Sequence, residues 1–151
     1  MKNLKLNKVE KTLIITINRP DKLNALNANV IDELRGVFSD NRDNNSISSI
    51  IITGSGDKSF VAGADIKEMS NFSSSDAANY SKEGIELFNS IESYSKPVIA
   101  AINGYALGGG LELALSCHIR YLSKTAILGF PEVSLGLIPG FGGTQRLRNI
   151  V

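Results

Sequence analysis

Cysteine is nearly missing from this chain: Cys117 is the only one in 151 residues. No internal disulfide can form, and such a composition fits a reducing, cytoplasmic setting. Histidine is as scarce, with His118 alone. A structural zinc site needs about four Cys/His ligands, so no metal is expected. An excess of one charge sign is lacking too. Sixteen basic residues stand against fifteen acidic ones, a formal net charge of +1. That balance removes the electrostatic case for a nucleic-acid partner or an anionic membrane surface. No apolar run approaches the ~20 residues of a membrane-spanning helix. The opening Met1-Lys2-Asn3-Leu4-Lys5 is basic but has no apolar stretch behind it, so no secretory leader is expected. Neither a Gly-x-Ser-x-Gly elbow nor a Gly-Lys-Ser/Thr phosphate loop occurs. No convincing repeat runs through the sequence.

With 42% hydrophobic residues, the chain can build a core without staples, and its length predicts one domain over residues 1–151. Thr12-Leu13-Ile14-Ile15-Thr16-Ile17 is short and β-branched, which predicts a strand ended by Pro20. Val30, Ile31, Leu34, Val37 and Phe38 share one face of a helix over 29–42. A second strand is predicted over 49–53. Ser73-Ser74-Ser75-Asp76 offers N-caps for a helix with Tyr80, Ile85, Leu87, Phe88 and Ile91 on its apolar side. Further strands are predicted over 97–102, 117–122 and 126–128. Strands thus alternate with helices, which argues for an α/β domain with parallel pairing. The stretch 144–151 reads as the start of a helix, with Thr144 as a candidate cap. A helix that short is marginal alone, so the chain is expected to be the front part of something longer, or a fragment. Lys2, Lys5, Lys8 and Lys11 are expected in solvent. Cys117 is expected to pack as a small hydrophobe, and His118 to be a core or surface residue.

The stretch richest in chemistry is Asn103-Gly104-Tyr105-Ala106-Leu107-Gly108-Gly109-Gly110-Leu111-Glu112-Leu113-Ala114, a strand, a turn, a run of glycines and good helix formers. Glycine lets backbone approach a ligand closely. The first N–H groups of a helix lack partners within it, and the helix dipole favours negative charge there. Such a turn can hold an anion, or an oxygen that becomes negative during a reaction. It can equally serve tight strand–helix packing. Glu112 follows among apolar neighbours. Glu132 lies twenty residues on, in Gly129-Phe130-Pro131-Glu132-Val133. Two half-buried carboxylates can hold different protonation states, and such a pair suits acid/base work on one water. Each could also be an unrelated structural residue, since spacing does not show that they meet. Ser59-Phe60-Val61-Ala62-Gly63-Ala64-Asp65-Ile66-Lys67-Glu68-Met69 reads as a loop that could add a second N–H donor. Gly136-Leu137-Ile138-Pro139-Gly140-Phe141-Gly142-Gly143-Thr144-Gln145-Arg146 is another glycine-rich approach to a helix.

Together with Arg19-Pro20-x-x-Leu23-Asn24-Ala25-Leu26, these stretches resemble the enoyl-CoA hydratase (crotonase) family, in the family's order and over nearly the whole chain. The resemblance implies a crotonase-type α/β spiral of repeated β-β-α units, with the C-terminal helical part of the family absent here. It implies reversible addition of water to a 2-enoyl-CoA thioester, with no cofactor beyond the coenzyme A of the substrate. The backbone N–H groups of Ala64 and Gly109 would form the oxyanion hole, and Glu112 and Glu132 the acid/base pair. Lys22, Leu23, Ala25, Ala62, Ala64, Asp65, Ile66, Gly108, Gly109, Pro131 and Gly140 would line the path of the acyl-CoA. The full-length assembly would be a homotrimer or hexamer. Phe130 departs from the pattern, standing where relatives often carry glutamine. Two other readings remain open at this level: a crotonase-fold fragment or assembly module without activity, and a sister enoyl-CoA isomerase using the same site.

Overall fold

The computed structural model describes residues 1–151. Strands β1 (Leu4–Val9) and β2 (Thr12–Ile17) form an antiparallel hairpin, turning at Glu10 with φ of +53°. In β2 the side chains of Leu13, Ile15 and Ile17 are buried and those between them half-exposed, the period-two pattern of a strand over a core. Asn27 caps α1 (Ala28–Asp40) by accepting from Val30 N–H at 3.0 Å, and Val30, Ile31, Leu34, Val37 and Phe38 are all buried, as their spacing predicts. The chain then returns parallel to β2 as β3 (Ser49–Gly54).

From β3 onward one pattern recurs. A strand joins the first sheet, a short strand joins a second sheet, and a helix follows. The first unit is β3, β4 (Ser59–Val61), the single turn α2 (Ile66–Met69) and α3 (Ser74–Glu92). The second is β5 (Val98–Ile102), β6 (Tyr105–Leu107) and α4 (Gly109–Ser116). The third is β7 (Ile119–Leu122), β8 (Ile127–Gly129), a 3-10 turn over Pro131–Leu135 and α5 (Gly143–Ile150). The sheets run β1-β2-β3-β5-β7 and β4-β6-β8, parallel throughout except for the opening hairpin. The β-β-α expectation is therefore met, although no repeat is visible in the sequence.

The simpler alternation read from hydrophobic pattern omitted three strands. β1 buries only Leu4 and exposes its lysines, so it carries no alternation; charge along an outer strand also blunts unwanted pairing. β4 and β6 are three residues each, too short for a period-two signal. The stretch around 59–61 that read as loop, and the turn expected after Asn103, are thus strands of the second sheet. α5 is also capped differently from expectation. Gly142, with φ of +93°, is its N-cap, and Thr144 is an exposed residue inside the helix.

Ser73 caps α3 in a two-way box with Asp76: each side chain accepts from the other's backbone N–H. One cluster of 28 buried residues forms the core beneath both sheets. α4 lies inside it, with all eight residues buried. That depth depends on Gly110, because a Cβ there would run into the Val61 carbonyl of β4. Cys117 is buried in the core. His118 is exposed, and its Nδ1 accepts from Val98 N–H at 2.9 Å. Lys2, Lys5, Lys8 and Lys11 face solvent. No helix is long and apolar enough to cross a membrane.

Candidate active site

Residues 62–65 are laid alongside 23–26 and stitched to them. Ala62 N–H donates to the Leu23 carbonyl at 3.1 Å, Leu26 N–H to Gly63 at 2.8 Å and Asp65 N–H to Leu26 at 2.6 Å. Tyr80, from α3, donates its hydroxyl to the same Leu26 carbonyl at 3.0 Å. Arg19 closes the arrangement, donating Nη1 to the Ala25 carbonyl and Nη2 to Asp65 Oδ2 at 2.8 Å. That ion pair holds the Asp65 carboxyl below its ordinary range, the hydrogen bond from Arg19 being the largest cause. Burial pushes the Tyr80 hydroxyl well above its ordinary value, so it stays a neutral donor. The purpose of this bracing is visible at Ala64. Its N–H has no acceptor within the chain, and it is held in place by bonds on both sides.

Asn24 anchors the same segment from below. It is fully buried, accepts from Arg19 N–H at 3.0 Å and donates to the Ser55 and Ser59 carbonyls, both at 2.9 Å. Asn24→Ala would remove the side-chain partner of all three backbone groups, of which the Ser59 bond is buried and the other two part-buried. Loss of a buried partner costs about 1–3 kcal/mol, so the midpoint of urea unfolding should fall clearly. An unchanged midpoint would show that water replaces the amide.

The second N–H comes from the start of α4. Gly109 is the first helical residue, and its N–H has no acceptor within the chain. Gly108, just before it, has φ of +49° and ψ of −123°, a conformation that only glycine adopts without strain. A Cβ on Gly108 would also stand 2.6 Å from Glu132 Oε1. The carboxyl of Glu132 therefore rests directly against the turn that presents Gly109.

Glu112 lies one turn into α4 and is 1% exposed. Its Oε1 accepts from Phe141 N–H at 2.8 Å and from Gly143 N–H at 2.7 Å, while Oε2 accepts nothing from the chain. Burial raises its affinity for a proton above the ordinary range, the two backbone donors act against that, and the neighbouring Glu132 raises it further. Glu132 enters from the 3-10 turn, and its Oε2 is buried without any hydrogen-bond partner. One cavity of about 200 Å3 has Ala62, Ala64, Gly108, Gly109, Glu112 and Glu132 in its wall. Ile66, Pro131 and Gly140 line it too, and Met69, Ala77, Leu135, Leu137, Ile138 and Phe141 make most of it apolar.

The structure thus brings together the two glutamates and both N–H donors, and of the nine other residues expected along the acyl-CoA path five line the same cavity. Ala62, Ile66, Gly108, Pro131 and Gly140 line the cavity. Lys22, Leu23, Ala25 and Asp65 do not. Lys22 and Leu23 are exposed on a 3-10 turn, Ala25 is buried, and Asp65 is engaged by Arg19. No group of three or more His, Cys, Asp or Glu side chains is placed to hold a metal ion. The roles of Asn24, Tyr80 and Arg146 were not read from the sequence. A polar Asn24 amid apolar neighbours was a visible signal, but the partners that give it meaning are distant in the chain.

The model of the family described as enoyl-CoA hydratase/isomerase matches residues 8–151. The chain belongs to that family. The Short-chain-enoyl-CoA hydratase of Clostridium acetobutylicum is 47% identical over 151 residues, all of this chain and 58% of that relative. The Crotonyl-CoA hydratase of Syntrophomonas wolfei is 50% identical over 149 residues, 99% of this chain and 57% of that one. A crystal structure of an enoyl-CoA hydratase from Bacillus anthracis superposes with a TM-score of 0.96 at 35% identity, again covering 99% of this chain and 58% of that one. The crotonase-type spiral inferred from the motifs is therefore the fold of this chain, and the chain spans somewhat over half the length of these relatives. Within this enoyl-CoA hydratase/isomerase frame the half-buried Phe130 takes a definite place. A Cβ built on Gly143 would stand 2.8 Å from Phe130 Cζ and 2.9 Å from Glu112 Oε1, so the ring and the carboxyl both close on that glycine.

Proposed function

We propose that this chain carries the catalytic core of an enoyl-CoA hydratase that adds water to the double bond of a short 2-enoyl-CoA. The observation that carries this reading is the meeting of two acceptor-free N–H groups and two carboxylates on one largely apolar wall. The thioester oxygen would lie between the Ala64 and Gly109 amides. As hydroxide character develops at C3, negative charge moves onto that oxygen, so the amides stabilise the transition state more than the ground state. Glu112 would take a proton from the water through Oε2, the oxygen that accepts nothing from the chain. The water's oxygen bonds to C3, the C2–C3 double bond becomes single, and Glu132 delivers a proton to C2. Glu132 Oε2, buried without a hydrogen-bond partner in the chain, is the atom free to serve that transfer.

The coenzyme A of the substrate is the only cofactor chemistry this scheme uses. The names of two relatives, one short-chain and one crotonyl, support a short acyl group. By the same reading the assembly is a homotrimer or hexamer, with the exposed apolar side chains of β7 and β8, Ile119, Tyr121 and Ile127 among them, covered in it. The test is conversion of crotonyl-CoA, followed by loss of the conjugated-thioester absorbance and by chromatography of 3-hydroxybutyryl-CoA. Hydration is expected. Migration of the double bond without uptake of water would overturn the reading in favour of an isomerase. Tight binding of crotonyl-CoA with no reaction would place the chain as a binding module.

A further inference from the structure

We propose that Arg146 is a positioning residue for Glu112: its guanidinium fixes the loop of residues 139–143 in the arrangement that grips one oxygen of Glu112 and turns the other toward the cavity. The inference rests on the reading of Glu112 as the base. Arg146 is 6% exposed, unusual burial for an arginine. Its Nη1 donates to the Phe141 carbonyl at 2.6 Å, its Nη2 to Asn89 Oδ1 at 2.5 Å and its Nε to Glu92 Oε2 at 2.9 Å. The last two acceptors belong to α3, so the guanidinium ties the loop to the longest helix of the fold. Phe141 is held from both sides of its backbone. Its carbonyl is gripped by Arg146, and its N–H grips Glu112 Oε1. A Cβ on Gly142 would stand 2.6 Å from Nη1, so the guanidinium is tucked directly beneath the loop.

Two further contacts steady the loop. Ser81 Oγ donates to the Gly140 carbonyl at 2.6 Å, and the Phe141 ring packs edge-on against Tyr80 and Phe88. Neither supplies charge. The charged groups that bear on Glu112 are Glu132 from the 3-10 turn, which favours its protonation, and Arg146 from α5, which opposes it. Facing residues on α3 are the neutral Tyr80 and, further off, the Asn89 and Glu92 that bind Arg146. Only a planar cation with several fixed donors serves three acceptors in different directions; a lysine keeps the charge and loses the geometry. A buried arginine can also be a simple staple between α3 and α5. Because the Arg146 charge itself opposes protonation of Glu112, the deciding changes keep that charge and loosen its grip: weakening a mere staple by Asn89→Ala lowers stability alone, whereas weakening a positioning residue also moves the ionisation of Glu112.

The experiment is a carboxyl-carbon NMR titration of protein carrying labelled glutamate, with Glu112→Gln to assign the signal. In Arg146→Met the Glu112 midpoint should rise by about one to two pH units, since hydrogen bonds to a charged group contribute about 1.5–3 kcal/mol. Arg146→Lys should fall between that variant and the wild type. With crotonyl-CoA, kcat should drop and its acid limb move upward with the midpoint, while KM changes little. An unchanged midpoint in folded Arg146→Met overturns the proposal. Whether or not that variant folds, Arg146→Lys and Asn89→Ala decide it: smaller upward shifts support positioning, and unmoved midpoints in both refute it. A shifted midpoint with no hydration by any form, wild type included, leaves the positioning role standing and removes the hydratase reading.

Discussion

Glu112→Gln should lower hydration of crotonyl-CoA by roughly 10²–10⁴-fold, the usual contribution of a positioned proton-transfer group, without weakening the fold. The amide oxygen of glutamine can still accept from the Phe141 and Gly143 amides that now meet Oε1. What disappears is a buried negative charge. Burial first, and Glu132 after it, raise the proton affinity of Glu112 above its ordinary value, so its ionised form is a destabilising element of the folded chain. The sign follows from proton linkage. At low pH the wild type is protonated in both folded and unfolded states, and the two proteins should be equally stable. As pH rises past the ordinary carboxylate range, the unfolded wild type ionises before the folded one does, and the variant becomes relatively more stable. The advantage should level off above the folded-state value. Urea unfolding across pH, beside initial rates, measures both halves. A variant less stable at neutral pH would mean that the two amides favour the charged oxygen more than burial disfavours it. Near-normal turnover would remove Glu112 from the chemistry.

Gly108→Ala carries the other large effect, and through backbone rather than charge. The left-handed φ of +49° is strained for any L side chain, typically by about 1–3 kcal/mol. The new methyl would also stand 2.6 Å from Glu132 Oε1, so either the carboxyl moves or the turn does. Both movements damage the site, the first by displacing the acid and the second by turning the Gly109 N–H away. Turnover should fall at least as far as in Glu132→Gln, again roughly 10²–10⁴-fold. The double variant should be little worse than the poorer single one, because both changes strike the same group. Full additivity of the two losses would show that the residues act independently and that their contact is incidental.

The way this site is assembled explains how far a linear reading could reach. The β-branched runs of β2 and β3, the apolar stripe of α1 and the serine N-cap of α3 are local patterns, and each is where the pattern placed it. The glycine run before α4 and the paired glutamates were visible as types of chemistry, and the ordered motifs named the family. β1, β4 and β6 left no such trace, since an outer strand with one buried residue and two strands of three residues are held by their neighbours and not by their own periodicity. The same holds for α5, where a glycine in a left-handed turn caps the helix in place of the threonine that local preference favours.

Residue order alone settled the kinds of group available: two carboxylates in apolar surroundings, glycines where backbone must be exposed, no metal ligands in number and no charge suited to a polyanion. Those properties are written in side-chain chemistry and short-range spacing, which do not depend on where the chain goes next. Folding decided which of those groups share a cavity and what state each one holds. Glu112 receives its amides from residues about thirty positions away, Arg146 reaches its acceptors on α3 from more than fifty, and the Ala64 amide is left free only because residues 23–26 occupy its neighbours. Burial, hydrogen bonding and the nearness of a second charge are properties of the packed interior, so proton affinities and the aim of an N–H group arise only when those distant segments close on one another.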